Sequence, residues 1–124
     1  MARILVIDDY VEICTLAKKF LILDGHEVDT AENGAVGLKL AGRNKYDLVI
    51  TDVVMPEQDG IGVVAELKKL HPHIRIIVMT GGGAKMSISD LLKITRFMKA
   101  DRGIAKPLDF EKLLETVREV LASV

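Results

Sequence analysis

Four apolar runs in this 124-residue chain stop on side chains that can do polar chemistry. Asp8-Asp9 follows Ile4 to Ile7, Asp52 closes Leu48-Val49-Ile50-Thr51, Thr80 follows Ile76 to Met79, and Lys106 follows Ile104-Ala105. Runs this short, with no polar alternation, read as strands buried on both faces. In an open parallel sheet the C-terminal strand edge and its loops form the ligand crevice, so parallel pairing would gather all of these groups around Asp52. Each pair of ionised carboxylates about 4 Å apart repels by roughly 4 kcal/mol at an effective dielectric near 20, so protons or a cation must accompany Asp8, Asp9 and Asp52. An all-oxygen donor set suits a hard divalent ion, and Mg²⁺ characteristically takes one or two carboxylates while keeping waters and a phosphate oxygen. Lys106 and Thr80 add a point charge and a hydroxyl donor, which suit the oxygens of a phosphoryl group. A carboxylate held among them can attack phosphorus to give an acyl phosphate, a reaction that asks mainly for alignment and charge cancellation.

The elements that must position these groups alternate strand and helix five times. Ile4 to Ile7 predicts a first strand, and Val11 to Leu23 a helix with Ile13, Leu16, Ala17, Phe20 and Leu23 on one face. Glu27 to Ala31 is a more polar strand suited to a sheet edge, and Asn33 is a candidate N-cap for a short helix ending near Gly42. After the Asp52 strand, a loop through Val54 and Pro56 to Gly60 leads to a helix carrying Val63, Val64, Leu67 and Leu70, closed before Pro72. Arg75 to Met79 predicts the fourth strand. Ser87 and Asp90 have capping-box spacing for a helix starting near Ile88, with Ile88, Leu91, Leu92, Thr95 and Met98 as its core stripe. A short strand near Arg102 to Ala105 precedes a last helix from Asp109, with Phe110, Leu113, Leu114, Val117 and Val120 inward. Five such units with right-handed crossovers predict a doubly wound, flavodoxin-like α/β fold: a five-stranded parallel sheet in order 2-1-3-4-5 with five helices. In that order strands one and three are neighbours where the winding reverses.

Composition narrows the function classes. The length suits one domain, residues 1–124, burying roughly two-thirds of its unfolded surface. Seventeen basic against eighteen acidic side chains give no electrostatic case for nucleic acid or a membrane surface. Cys14 is the lone cysteine and reads as a small apolar helix residue in a reducing compartment. The first apolar run is too short for a signal peptide or a membrane span, so a cytoplasmic protein is expected. His26, His71 and His73 fall at predicted turns or helix ends and are expected to face solvent. Bland roles exist for each candidate: Asp8 and Asp9 as helix caps, Thr80 as a β-branched strand residue, Lys106 as a loop lysine. None of these explains the joint placement.

Asp8-Asp9 after strand one, Asp52 ending strand three, Pro56 and Gly60 beyond it, Thr80 ending strand four and Lys106-Pro107 after strand five together resemble the receiver domain of two-component response regulators. The resemblance covers the whole chain and is closest to the single-domain, chemotaxis-regulator type. It implies that Asp52 takes a phosphoryl group from a phosphohistidine on a sensor histidine kinase or a histidine phosphotransfer protein. It implies Mg²⁺ held by Asp9, Asp52 and the main-chain carbonyl of Val54, with Asp8 acting mostly through water. It further implies that Lys106 pairs with the phosphoryl group, that Thr80 swings toward it, and that Lys106-Pro107 is a cis peptide. The surface of helix four, strand five and helix five would change for an unidentified downstream protein. The chain would be a monomer or weak dimer, catalysing only its own phosphorylation and dephosphorylation and touching no nucleic acid directly.

Three departures from the family pattern stand out. Gly103 occupies the place, three residues before Lys106, where many receivers carry a Tyr or Phe, so ordering of the Gly81 to Met86 loop and of helix four is expected to replace an aromatic switch. The Thr80-to-Lys106 interval is a few residues longer than the family pattern, with Gly81 to Met86 as the extra length and three glycines that lose much entropy on ordering. Val54 and Gly82 lack polar side chains near the expected path of water. Two other classes compete. A haloacid-dehalogenase-type phosphatase would place Asp-x-Asp after strand one, where this chain has Asp8-Asp9-Tyr10; a phosphate-cradling binding module would lean on the glycine run alone.

Overall fold

The computed structural model describes residues 1–53, 60–81 and 87–123. The elements are β1 (Arg3–Ile7), α1 (Val11–Leu23), β2 (Glu27–Ala31), α2 (Gly34–Arg43), β3 (Leu48–Asp52), α3 (Gly60–Leu70), β4 (Arg75–Thr80), α4 (Ile88–Phe97), β5 (Arg102–Ala105) and α5 (Phe110–Ala122). All strand pairs are parallel, in the order β2-β1-β3-β4-β5, as the alternation predicts. The register pairs Ile7 with Thr51, Asp52 with Met79 and Thr80 with Ala105, so the residues that follow each strand open on one edge.

Strand side chains alternate between two cores because their period is two. Ile4, Val6, Leu48, Ile50, Ile77, Met79 and Ile104 pack with Cys14, Ala17 and Leu21 of α1 and Leu113, Val117 and Val120 of α5. Leu5, Ile7, Val49, Ile76 and Val78 pack on the other face with Ala41, Val63, Val64, Leu67 and Met98. The same alternation decides which way the site residues lean. Asp52 and Lys106 share parity with the α1/α5 face, while Thr80 and Gly103 share it with the face that α4 covers.

Helix ends follow local chemistry. Asn33 accepts from the Val36 N–H at 2.8 Å, and Ser87 and Asp90 form a reciprocal capping box at the start of α4. Three predicted faces are corrected. In α1, Leu16 and Leu23 are exposed, and the buried line is Cys14, Ala17 and Leu21. In α4, Ile88 and Leu92 are exposed, and Leu91, Ile94, Thr95 and Met98 turn inward. In α3, Leu70 is exposed beyond the buried Val63, Val64 and Leu67. In each case a sequence period fixes a stripe only to within one position, and the neighbouring elements choose. His26 is also corrected: its ring is mostly buried, with Nδ1 accepting from the Ala2 N–H at 3.1 Å. His71 Nε2 lies 2.8 Å from the Ala41 carbonyl.

Candidate functional site

Asp8 is the first residue past β1 and is completely buried. Its backbone N–H donates to the Ala31 carbonyl at 3.1 Å, extending the β1–β2 ladder by one rung. Its Oδ1 accepts from the Tyr10 N–H at 2.9 Å, tying the carboxylate to the chain as it turns into α1. Asp52 is the last residue of β3 and is 3% exposed. The Val53 N–H then donates to Met79 at 2.8 Å, and the Gly60 N–H closes back on the Val53 carbonyl at 2.8 Å. A Cβ on Gly60 would lie 2.6 Å from Val53 Cα and 2.8 Å from the Asp52 carbonyl, so α3 can start against the phosphoacceptor candidate only with glycine there.

One oxygen from each of Asp8, Asp9 and Asp52 falls within 4.8 Å of the others. Lys106 reaches them from β5. Its backbone N–H donates to Thr80 at 2.8 Å, and its Nζ sits 2.9 Å from Asp52 Oδ2 and 2.8 Å from Asp8 Oδ2. Lys106-Pro107 is a cis peptide. Thr80, at the end of β4, is buried beside this edge. The structure therefore brings together the residues Asp8, Asp9, Asp52, Thr80 and Lys106 at one sheet edge. The expectation for the Val54 carbonyl lies outside the described residues, as do those for Gly82 and for most of the Gly81 to Met86 loop.

The electrostatics are those of an incomplete site. Three carboxylates against one ammonium leave an excess of two negative charges among the described groups. Burial pushes the Asp8 carboxyl above the usual carboxylate range, and Lys106 and the Tyr10 N–H offset this only in part. Burial also works against the charge on Lys106, but hydrogen bonds to Asp8 and Asp52 outweigh it and raise its pKa. Among the described residues, Asp9 Oδ1 is buried without a hydrogen-bond partner, and Asp8 Oδ2 has the Lys106 ammonium alone, 2.8 Å away. Buried carboxylate oxygens left in this way, in a hard oxygen donor set with two surplus negative charges, fit a divalent cation such as Mg²⁺.

Tyr10 went unnoticed as a site residue in the sequence. Lys106 Nζ lies 5.1 Å from the centre of its ring. The available signal was an aromatic immediately after two strand-ending aspartates.

The family model described as the response regulator receiver domain matches residues 4–118. The chain belongs to this family. The receiver is 38% identical over 119 residues to the transcriptional regulatory protein ZraR of Salmonella typhimurium, covering 96% of this chain and 26% of that protein. It is 36% identical over 126 residues to the DNA-binding transcriptional regulator NtrC of Azospirillum brasilense, covering 98% of this chain and 24% of that protein. It thus spans about a quarter of the length of the curated relatives it matches. Among solved structures, TrrA of Thermotoga maritima, a response regulator crystallised with Mg²⁺-BeF, superposes with a TM-score of 0.81 at 36% identity, over 97% of the receiver and 99% of that chain. Among the described residues, no helix is long and apolar enough to cross a membrane.

Proposed function

We propose that Asp52 accepts a phosphoryl group from a phosphohistidine on a sensor histidine kinase or histidine phosphotransfer protein, and that residues 1–124 work as one cytoplasmic switch, monomeric or weakly dimeric. The observation that carries this reading is the seat of Lys106, an ammonium within 2.9 Å of Asp52 and 2.8 Å of Asp8 in a crevice with surplus negative charge. In the reaction an Asp52 oxygen forms the bond to phosphorus as the bond to the donor nitrogen breaks, and the imidazole leaves with a proton. Mg²⁺, held by Asp9, Asp52 and the Val54 carbonyl with Asp8 acting mostly through water, would supply charge neutralisation for the incoming phosphoryl oxygens.

The residues of the chain do the rest. Asp52 is fixed at the end of a central strand, so its attack geometry is set by the sheet. Lys106 exchanges part of its contact with the carboxylates for a phosphoryl oxygen, and Thr80 offers its hydroxyl to another. In dephosphorylation a water oxygen forms the bond to phosphorus as the bond to the Asp52 oxygen breaks, which releases inorganic phosphate and restores the carboxylate, so no external substrate is turned over. Movement of Thr80 is passed to the α4–β5–α5 surface and read by a downstream protein. A change from 1:99 to 99:1 needs about 5.5 kcal/mol of preference for the active form. Direct nucleic-acid binding by these residues is not part of the proposal.

Incubation with acetyl phosphate and Mg²⁺ tests it. One hydroxylamine-labile phosphoryl group per chain is expected, lost in Asp52→Ala and after chelation of the metal. A wild-type protein that stays unmodified, or an Asp52→Ala variant that is labelled equally, overturns the reading.

A further inference from the structure

Lys106 is held at its backbone and at its ammonium. Its N–H donates to Thr80, and its ammonium meets Asp8 and Asp52. A further contact is the ring of Tyr10, whose centre is 5.1 Å from Nζ. The backbone that carries this ring is anchored on both sides. The Tyr10 N–H is bound by Asp8, and its carbonyl accepts from Ile13 and Cys14 at 3.1 and 3.2 Å as the first turn of α1 begins. The residue occupies the N-cap position without a side-chain cap of its own, a place where Ser, Thr, Asp or Asn would serve the helix better. The residue is 58% exposed, so burial in a core does not account for it either. Among the described residues, the side chain's polar contact is with the ammonium.

We propose that Tyr10 is a positioning residue for Lys106: its ring forms the solvent-side wall of the ammonium's seat and holds the charge in line with Asp52. The proposal rests on the phosphoacceptor reading of Asp52 and adds a residue that acts on the same transfer. A cation within about 6 Å of an aromatic centroid is attracted by the negative face of the ring, and the attraction grows as water is excluded. Lys106 is only 12% exposed at its side chain, so the ring also removes one side from which water would otherwise solvate the ammonium. Phosphoryl transfer gains from a charge already in place, because the transition state does not then wait for the lysine to be ordered. The ring contributes through its face. A phenylalanine should replace it, whereas an aliphatic side chain of similar reach should not.

Two measurements test this. In the resting, metal-free protein, the Lys106 ε-methylene protons should carry a ring-current shift in NMR spectra that disappears in Tyr10→Leu. With acetyl phosphate and Mg²⁺, Tyr10→Leu and Tyr10→Ala should be phosphorylated about two- to tenfold more slowly, the range expected from a partly exposed cation–ring contact, while Tyr10→Phe keeps the wild-type rate. In a Lys106→Ala background the Tyr10→Leu change should have no further effect, which a general structural role for the ring would not produce. Absence of the ring-current shift, a wild-type rate in Tyr10→Leu, loss of rate in Tyr10→Phe, or the same loss with and without Lys106 overturns the proposal. A wild-type chain that takes no phosphoryl group overturns the phosphoacceptor reading instead, and the ring-current shift then still decides whether Tyr10 holds Lys106.

Discussion

Asp8 carries an unusual burden for a carboxylate, being wholly buried, tied to the chain by one N–H and sharing one ammonium with Asp52. Burial raises its pKa above the ordinary 3.8. An acid raised in the folded state contributes stability that is present below its unfolded pKa and is lost as pH rises through the folded value. The metal-free protein should therefore become less stable relative to Asp8→Asn as pH rises from about 4 toward neutrality. Urea melts with chelator present, at pH 4 and pH 7, are expected to show the variant gaining on wild type at the higher pH, and an unchanged difference would contradict the burial argument. The same substitution should weaken Mg²⁺ binding, read by titration calorimetry. Cys14 gives a second residue-level expectation. Burial, helped by the nearby Asp8 charge, pushes its thiol up to about 11, so alkylation by iodoacetamide at pH 8 should be far slower in the folded protein than in urea.

At the scale of elements, the contact between α4 and β5 is unusually close at one residue. Gly103 lies on the face of β5 that α4 covers, and a Cβ there would meet Thr95 Oγ1 at 2.1 Å and Leu91 Cδ1 at 3.1 Å. Thr95 is buried, with its hydroxyl donating to the Leu91 carbonyl at 2.7 Å. The helix thus sits directly on the strand backbone, in the space an aromatic side chain would need. Gly103→Ala should lower stability by about 1–3 kcal/mol, because Thr95 and Leu91 must give way. Most of that loss should return in Gly103→Ala with Thr95→Ala, since removing the hydroxyl leaves Leu91 Cδ1, the movable end of a side chain, at 3.1 Å and Thr95 Cβ at 3.4 Å. A double variant as unstable as the sum of its parts would show that the two residues do not compete for this space. If α4 itself carries the switch, amide exchange across residues 91–98 should change when Mg²⁺ and beryllofluoride are added, and unchanged protection there counts against it.

For the whole molecule, metal binding and folding are linked. A cation that binds the clustered carboxylates but not the unfolded chain adds RT ln(1 + [L]/Kd), about 2.7 kcal/mol at a hundredfold excess over Kd. For a chain of this size that should raise Tm by several degrees, a gain abolished by chelator and by acid, which protonates the ligands. An unchanged melting temperature across a magnesium titration would argue against the site. The rest of the molecule supplies rigidity: two cores, one on each face, clamp β1 and β3 so that Asp8 and Asp52 emerge side by side.

Much of this arrangement was legible from the sequence because it is local or periodic. Apolar runs ending on Asp8, Asp52, Thr80 and Lys106 gave strand ends, alternation of strand and helix gave a parallel sheet, and right-handed crossovers gave the strand order. Asn33, Ser87 with Asp90, and Asp109 marked helix starts through side-chain acceptance a few residues away, which sequence spacing encodes directly. What tertiary structure alone decided concerns contacts between distant segments. Which of Leu16, Leu23, Ile88 and Leu92 would face water depended on where neighbouring elements lie, since a helical period leaves the stripe free to rotate by a residue. The ring of Tyr10 over Lys106 joins positions 96 residues apart in the chain, and the fit of Thr95 into the space at Gly103 depends on how closely a helix approaches a strand. Spacing along a chain reports the direction of a side chain within its own element; only packing reports what that side chain meets.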